Sequence, residues 1–268
     1  MESTCINCGT VTSGTYCANC GQRVTVKRLS FREGWNDFWA RIYGFDGMLP
    51  RTLRDLTIRP GKAAVKFIER NRVQYYGPVG YFFLMITLLY VVASLLGIDM
   101  VDFLKNAADT GLQKPPKAGS GQEKFMQETV RVVSDNMKVV SFIIVPIQAF
   151  CSRYIFFRKS NWNFIEHMVL PFYALGHLYW FSIASLIAFW LSGSFIPNWA
   201  QMILGIGYFS FAYANMFTYQ NRVKAFLKGF GVYLVSQLAL GLLIAIAIVV
   251  LLILNPEVFE LLKPSNNL

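Results

Sequence analysis

Charged residues are scarce in this chain of 268 residues. Asp, Glu, Lys and Arg together make up 15% of it, whereas about 25% is usual in soluble domains. Hydrophobic residues make up 54% and occur in long runs. So few charges cannot cover the surface of a soluble domain, which excludes a soluble enzyme, a disordered chain and a disulfide-stapled secreted domain.

The apolar runs are long enough to cross a bilayer, which takes about 20 mostly apolar residues. No Asp, Glu, Lys or Arg occurs from His167 to Asn221, and turn residues around Pro197 divide this stretch into two spans. We therefore predict an all-α polytopic membrane protein with five transmembrane helices. These are expected at residues 79–97, 139–157, 168–191, 200–219 and 231–254.

Lys and Arg exceed the acidic residues on one side of this layout only. With five spans, the segment up to Pro78 shares a side with the loops after the second and fourth spans. This side carries the whole excess that gives the chain its net charge of +10. An outer loop at 98–138 and an outer tail at 255–268 lie opposite. The positive-inside rule therefore predicts a cytoplasmic N-terminus and a C-terminus outside. No signal peptide is apparent, so we expect the first span to direct insertion.

Four cysteines near the start of the chain form two identical pairs. Each pair is a Cys-x-x-Cys followed by glycine, with Cys5 and Cys8 in the first and Cys17 and Cys20 in the second. Four thiolates at this spacing are typical of a closed tetrahedral zinc shell. We predict a small cytosolic zinc ribbon over residues 1–24, with structural Zn²⁺ bound by these cysteines.

Three other roles for the cysteines are weaker. A redox Cys-x-x-Cys pair normally accompanies a βαβ unit, for which residues 1–24 are too few. Disulfides are disfavoured in a reducing cytoplasm, and four thiolate ligands leave no open position for catalytic zinc. Nucleic acid is not expected as a partner, because residues 1–22 contain one acidic residue and no basic one.

Residues 25–78 are basic and aromatic, and we predict amphipathic helices at the cytosolic membrane interface. Trp and Phe fall on one helical face at 31–42. A second helix is expected after Pro60, since proline suits the first helical turn. We predict that its basic residues contact anionic lipid headgroups, and simple topological anchoring remains the alternative. The predicted contacts are Arg59, Lys62, Lys66, Arg70 and Arg72.

Three motifs in the first third of the chain resemble a bacterial family of unknown function. They are the double Cys-x-x-Cys-Gly ribbon ending in Gly21-Gln22, the segment Leu56–Lys62, and Tyr75–Pro78 before the first span. The resemblance implies a zinc ribbon joined to a multi-pass region in a bacterial inner membrane, and it supplies no activity. The layout is also similar to Yip-type membrane-organising proteins, which is an analogy of architecture alone.

A few polar residues lie inside the predicted spans. Such residues are costly in a membrane and are candidates for function, so Gln148, His177 and Asn215 could line a polar path. Interhelical hydrogen bonding is the alternative for each of them. No Asp or Glu lies deep in a span, so the chain lacks a carboxylate relay for proton or cation coupling.

The residues that most enzymes require are not apparent in the sequence. We find no nucleophile with its base, no paired carboxylates and no Gly-rich phosphate loop. We therefore predict an integral inner-membrane protein without enzymatic activity. Its ribbon is expected to engage a cytosolic protein, and its basic and aromatic helices to contact anionic lipid. The alternatives are a small-solute transporter or channel regulated by the ribbon, and a lipid-binding or membrane-organising protein.

Overall fold

The computed structural model describes residues 3–5, 7–21, 48–69, 74–103, 120–193, 196 and 198–254. Two compact units, residues 1–46 and 47–268, divide the chain and are described separately. In the first unit, β1 (Ser3–Thr4) and β2 (Val11–Thr12) pair antiparallel, with Ser3 opposite Thr12. The helix predicted at 31–42 lies outside the described residues.

The second unit is helical. Pro60 and Pro78 occupy the first turns of their helices, where their missing N–H groups leave no helical bond unmade. The helix that begins at Phe164 starts with a capping box, in which the side chains of Asn163 and Glu166 each accept a hydrogen bond from the other's backbone N–H. The helices are α1 (Met48–Ile58), α2 (Pro60–Ile68), α3 (Pro78–Leu95), α4 (Gly121–Asp135), α5 (Met137–Phe150), α6 (Phe164–Ser192), α7 (Asn198–Met216) and α8 (Arg222–Leu254). A π-helical turn, Cys151–Phe156, continues α5.

Four helices in the described part of the chain are long and apolar enough to cross a membrane. They are Pro78–Leu95, Met137–Phe156, Phe164–Ser192 and Arg222–Ala247. The expectation of a mostly helical chain with several such helices is therefore confirmed. Helix α7, with 19 residues, contains more polar residues and is not one of the four.

Helix α8 exposes a continuous apolar stripe. Every fourth residue is a large aliphatic that is about half exposed, so each side chain lies beside the next and the stripe turns gradually around the helix. The exposed face matches hydrocarbon chains and not water. The stripe consists of Leu234, Leu238, Leu242, Ile246 and Val250.

Side-chain pairs define the directions of the central helices. The Tyr173 hydroxyl donates to the Tyr76 carbonyl, and further along both helices Tyr81 contacts His177, so α3 and α6 are parallel. Helix α7 runs antiparallel to α6, because Gln201 contacts Ser185 near the α7 start and Tyr208 stacks on His177 further along.

Close backbone approach between α2 and α7 depends on Gly61. A Cβ at this position would collide with backbone atoms of Asn215 and Met216. Small residues at such crossings allow helices to pack by van der Waals contact where no hydrophobic effect acts between them. Gly61 therefore determines how close α2 lies to the bundle.

We expect Gly61→Ala to destabilise the fold by about 1–3 kcal/mol, as overpacking of a tight contact usually does. Thermal denaturation of the purified chain in mild detergent measures this loss. The matched control is Gly207→Ala in α7, where an added Cβ meets no atom within 4 Å. Equal thermal midpoints for the two variants would contradict the proposed contact.

Candidate functional site

The four cysteines of the first unit lie together. All four Sγ atoms are within 4.8 Å of one another. The closest pairs are Cys5 with Cys20 and Cys8 with Cys17, each separated by 3.5 Å. Sulfurs bound to one tetrahedral ion at about 2.3 Å stand roughly 3.8 Å apart. The cluster therefore has the size and donor set to hold a metal ion.

Two equal backbone turns produce this cluster. The amide of Gly9 donates to the Cys5 carbonyl, and the amide of Gly21 donates to the Cys17 carbonyl, both at 2.9 Å. Each glycine has φ of 72°, a left-handed conformation that other residues rarely adopt. The glycine after each Cys-x-x-Cys is thus required by the turn that directs two sulfurs to one point.

The thiols differ in their tendency to ionise. A hydrogen bond with the Thr10 hydroxyl, 3.3 Å away, is the main cause that lowers the pKa of Cys8 to about 6. Backbone amides favour the Cys5 thiolate, but burial and the adjacent sulfurs of Cys20 and Cys8 raise its pKa to about 11. The Cys8 thiolate therefore opposes ionisation of Cys5, and a bound cation would favour both thiolates.

The second unit contains a bent segment, α1 and α2 joined at Arg59, with one face packed into the bundle. We call residues 48–68 the α1–α2 segment. Its buried residues alternate with exposed ones at helical spacing, so each helix has an inner and an outer face. The inner residues include Leu49, Thr52, Asp55, Leu56, Pro60, Gly61, Ala63 and Ala64.

His177 holds the last turn of α1 against the bundle. Its Nε2 is 3.1 Å from Thr57 Oγ1, and its Nδ1 is 3.0 Å from the Tyr81 hydroxyl. The ring of Tyr208 stacks on the imidazole, and its hydroxyl donates to the Leu56 carbonyl at 3.0 Å. Helices α1, α3, α6 and α7 therefore meet at one buried histidine.

A second network ties α1 to the chain before α3. The Tyr75 hydroxyl donates to Asp55 at 2.7 Å, and the Arg59 guanidinium lies 3.1 Å from the same carboxylate. Burial opposes ionisation of Asp55, but these two donors hold its pKa below the ordinary value. Burial and the Asp55 charge raise the pKa of Tyr75 to about 12. The pair is therefore charged aspartate and neutral tyrosine at neutral pH.

The outer faces of α1 and α2 are basic. We define the basic surface as Arg51, Arg54, Arg59, Lys62 and Lys66, all of which are exposed. The Arg59 side chain is 46% exposed even though it pairs with Asp55. Three of these five, Arg59, Lys62 and Lys66, are among the lipid contacts predicted from the sequence. Arg51 and Arg54 are not, although their spacing of three on α1 was a usable signal. The predicted contacts Arg70 and Arg72 lie outside the described residues.

The predicted polar path is not assembled by any hydrogen bond or ring contact in the described residues. Gln148 is fully buried, and neither atom of its amide group has a partner. His177 belongs to the network described above. Asn215 donates to the Phe211 carbonyl of its own helix at 3.3 Å.

A further polar group lies beside the π-helical turn. Ser152 Oγ is 2.8 Å from His167 Nδ1, and the Tyr213 hydroxyl lies next to Ser152. His167 Nε2 and the Tyr213 hydroxyl, like the Gln148 amide one turn before Ser152, are buried without a partner. Buried polar atoms normally have a protein or water partner, so these unpartnered atoms leave the region able to form further hydrogen bonds.

One family model matches the chain, over residues 46–90, and its description is a protein of unknown function, DUF3667. The match covers the α1–α2 segment and most of α3. It includes Leu56–Lys62 and Tyr75–Pro78, two of the three motifs behind the resemblance, and it leaves out the cysteine cluster. No curated protein and no solved structure matches the chain.

We expect the purified full-length chain to hold one tightly bound metal ion, measured by elemental mass spectrometry. Replacing Cys5 and Cys17 by serine removes two of four thiolate donors, so the metal content should fall to background. The control is Cys151→Ser, which changes a buried cysteine outside the cluster. Metal retained by the double variant, or lost from the control, would count against a four-cysteine site.

Proposed function

We propose that the chain crosses a bacterial inner membrane five times, with its N-terminus in the cytoplasm. Support for the fifth crossing comes from α7, whose 19 residues extend about 28 Å. This length is close to the thickness of a hydrocarbon core of about 30 Å. Its antiparallel contacts with α6 at Gln201 and Tyr208 favour a crossing of the membrane in the direction opposite to that of α6.

The charge distribution supports the proposed orientation. With α7 as a span, Arg158 and Lys159 after α5 and Arg222 and Lys224 at the start of α8 lie on the same side as the basic surface. The loops on the opposite side carry no net positive charge. Basic residues are retained preferentially on the cytoplasmic side.

We further propose that the protein is a non-enzymatic membrane protein whose basic surface binds anionic lipid headgroups. The observation that carries this proposal is the two-sided character of the α1–α2 segment. Its inner face is buried, and hydrogen bonds of Thr57 and Leu56 hold the end of α1 against α6 and α7. The exposed charges of the segment are all basic, and Glu69 follows it. Each basic residue near an anionic membrane contributes about 1 kcal/mol of attraction. A fixed array loses little side-chain and backbone freedom on binding.

The cysteine cluster is assigned structural zinc in this proposal. Zinc suits four thiolates without an open position, and such a site stabilises a small fold without catalysing a reaction. Over residues 3–5 and 7–21, which are the described part of the first unit, there are two short strands and few buried apolar side chains, so a metal ion would supply much of the stability there. We propose that the ribbon, once folded, presents its surface to a cytosolic protein.

A transporter or channel for a small polar solute is the second candidate. The unpartnered atoms of Gln148, His167 and Tyr213 favour it, because they offer neutral donors and acceptors inside the helical unit. Flux across reconstituted liposomes that falls in Gln148→Leu would support this candidate over the lipid-binding proposal.

The fifth crossing is tested with alkaline phosphatase fused after Gly193 or after Asn221, at the two ends of α7. We expect an active enzyme after Gly193 and an inactive one after Asn221, because the reporter works only outside the cytoplasm. Green fluorescent protein at the same two positions should give the opposite pattern. Identical reporter activity at both ends would show that α7 does not cross.

Lipid binding is tested by reversing charge on the basic surface. We expect Lys62→Glu with Lys66→Glu to reduce co-purified anionic phospholipid at least about thirtyfold, since the two lost attractions together are worth about 2 kcal/mol. Lipid mass spectrometry of the detergent-purified chain measures the ratio of anionic to zwitterionic lipid. The control, Arg131→Glu with Lys138→Glu, makes the same charge change on and after α4 and should keep that ratio. Equal reduction in both double variants would contradict the assignment.

A further inference from the structure

A cavity of about 560 Å³ opens at the end of the bundle that carries the α5–α6 and α7–α8 loops. One wall is Ile155–Lys159, from the end of the π-helical turn. The other wall is the α7–α8 loop with the first two turns of α8. Four of the ten lining residues are basic and none is acidic, within the part of the chain that the structure describes. The basic ones are Arg158, Lys159, Lys224 and Lys228.

An aromatic floor supports this cavity. The buried ring of Phe157 stacks on Phe217 with centroids 3.8 Å apart, and on Tyr213 at 5.4 Å. The Phe156 ring fits directly against α8 because residue 231 is glycine, where a Cβ would overlap the ring. The wall that bears Arg158 is therefore anchored to α7 and α8 by packed rings.

Two of the four cations are held in place before any ligand binds. Lys228 Nζ lies 5.4 Å from the Phe157 ring centroid and donates to Gln220 Oε1 at 2.8 Å. Arg158 donates through Nε to the Tyr154 carbonyl. An arginine fixed through Nε can still present its terminal N–H groups to an anion. Both side chains are therefore held in a fixed orientation, and each retains N–H groups that can donate to a ligand.

The start of α8 adds to the positive potential. Asn221 caps this helix, with its Oδ1 accepting from the Val223 amide at 2.9 Å. A helix N-terminus carries about half a positive charge from its unpaired amides. Asn221 and Lys224 of this first turn both line the cavity. The helix dipole and the basic side chains therefore both make the electrostatic potential in the cavity more positive.

We propose that this cavity binds the phosphate group of a phosphorylated amphiphile. Arg158 and Lys228 contact the phosphate oxygens, and Lys159 and Lys224 complete the charge balance at the mouth. Exposed Ile155 and Tyr219 provide an apolar rim for the glycerol and the start of an acyl chain. The volume suits a headgroup and exceeds that needed for one ion, since small-molecule pockets range from about 300 to 1,000 Å³.

This site is separate from the basic surface of the α1–α2 segment, with which it shares no residue. Phosphate in such a pocket can come from a lipid headgroup or from a free phosphorylated compound, and both have the same contacts with Arg158 and Lys228. The apolar rim favours the lipid source, because a free ion gains nothing from Ile155.

The full-length chain, reconstituted in nanodiscs of phosphatidylcholine, is titrated with dioctanoyl phosphatidic acid by calorimetry. We expect saturable binding that Arg158→Gln and Lys228→Gln each weaken about tenfold, as loss of one charge-assisted hydrogen bond does. Arg131→Gln, an exposed residue of α4 that belongs to neither basic region, is the matched control and should bind as the unaltered chain does. Unchanged thermal midpoints show that the variants are folded.

Competition identifies the source of the phosphate. Displacement by millimolar inorganic phosphate supports a site for free phosphate compounds, whereas resistance to it supports a lipid headgroup. Equal binding of dioctanoyl glycerol, which lacks phosphate, would overturn the proposal. It would also fail if Arg131→Gln weakened binding as much as Lys228→Gln, because the loss would then follow the net charge of the chain and not this cavity.

Discussion

The hydrogen bonds around His177 are the interaction on which the helical unit depends. Helix α1 ends against α6 and α7, and the last carbonyls of any helix have no intrahelical partner. Tyr208 supplies a donor to the Leu56 carbonyl, Thr57 donates to Leu53, and the Arg59 amide donates to Asp55. Unpaired groups of this kind cost several kcal/mol where water is excluded. The last carbonyls of α1 are therefore paired by Tyr208 of α7 and by Thr57 and Arg59 of the segment itself, while His177 of α6 holds Thr57.

The same contacts explain why a charged segment can pack against an apolar bundle. Asp55 is buried, but Tyr75 and Arg59 satisfy its oxygens, so the inner face of α1 presents no unpaired charge. The remaining basic side chains all lie on the outer faces. Packing and charge are thus separated between the two sides of each short helix, which is the property that the proposed lipid-binding surface requires.

The sequence predicted the features that depend on residues close together in the chain. The doubled Cys-x-x-Cys-Gly spacing predicted that four thiols gather, because each pair needs only one local turn, and this is confirmed. Long apolar runs predicted helices able to cross a membrane. The docking of α1 was not predictable, because Thr57 and His177 are 120 residues apart. His177 and Gln148 seemed equivalent in sequence, yet one is fully hydrogen-bonded and the other has no partner. Only the fold distinguishes them.

The alignment of α3 with α6 has a consequence for how the molecule sits in lipid. Tyr81 is three residues into α3, whereas its neighbour His177 is 13 residues into α6. At 1.5 Å per residue, α6 therefore starts about 15 Å before α3 does. This offset creates a step on one side of the bundle, and the α1–α2 segment fills it. In the proposed membrane arrangement, such a step would set a local bilayer depth that differs around the perimeter, so membrane thickness would act on the protein unevenly, with α3 the first helix to be mismatched.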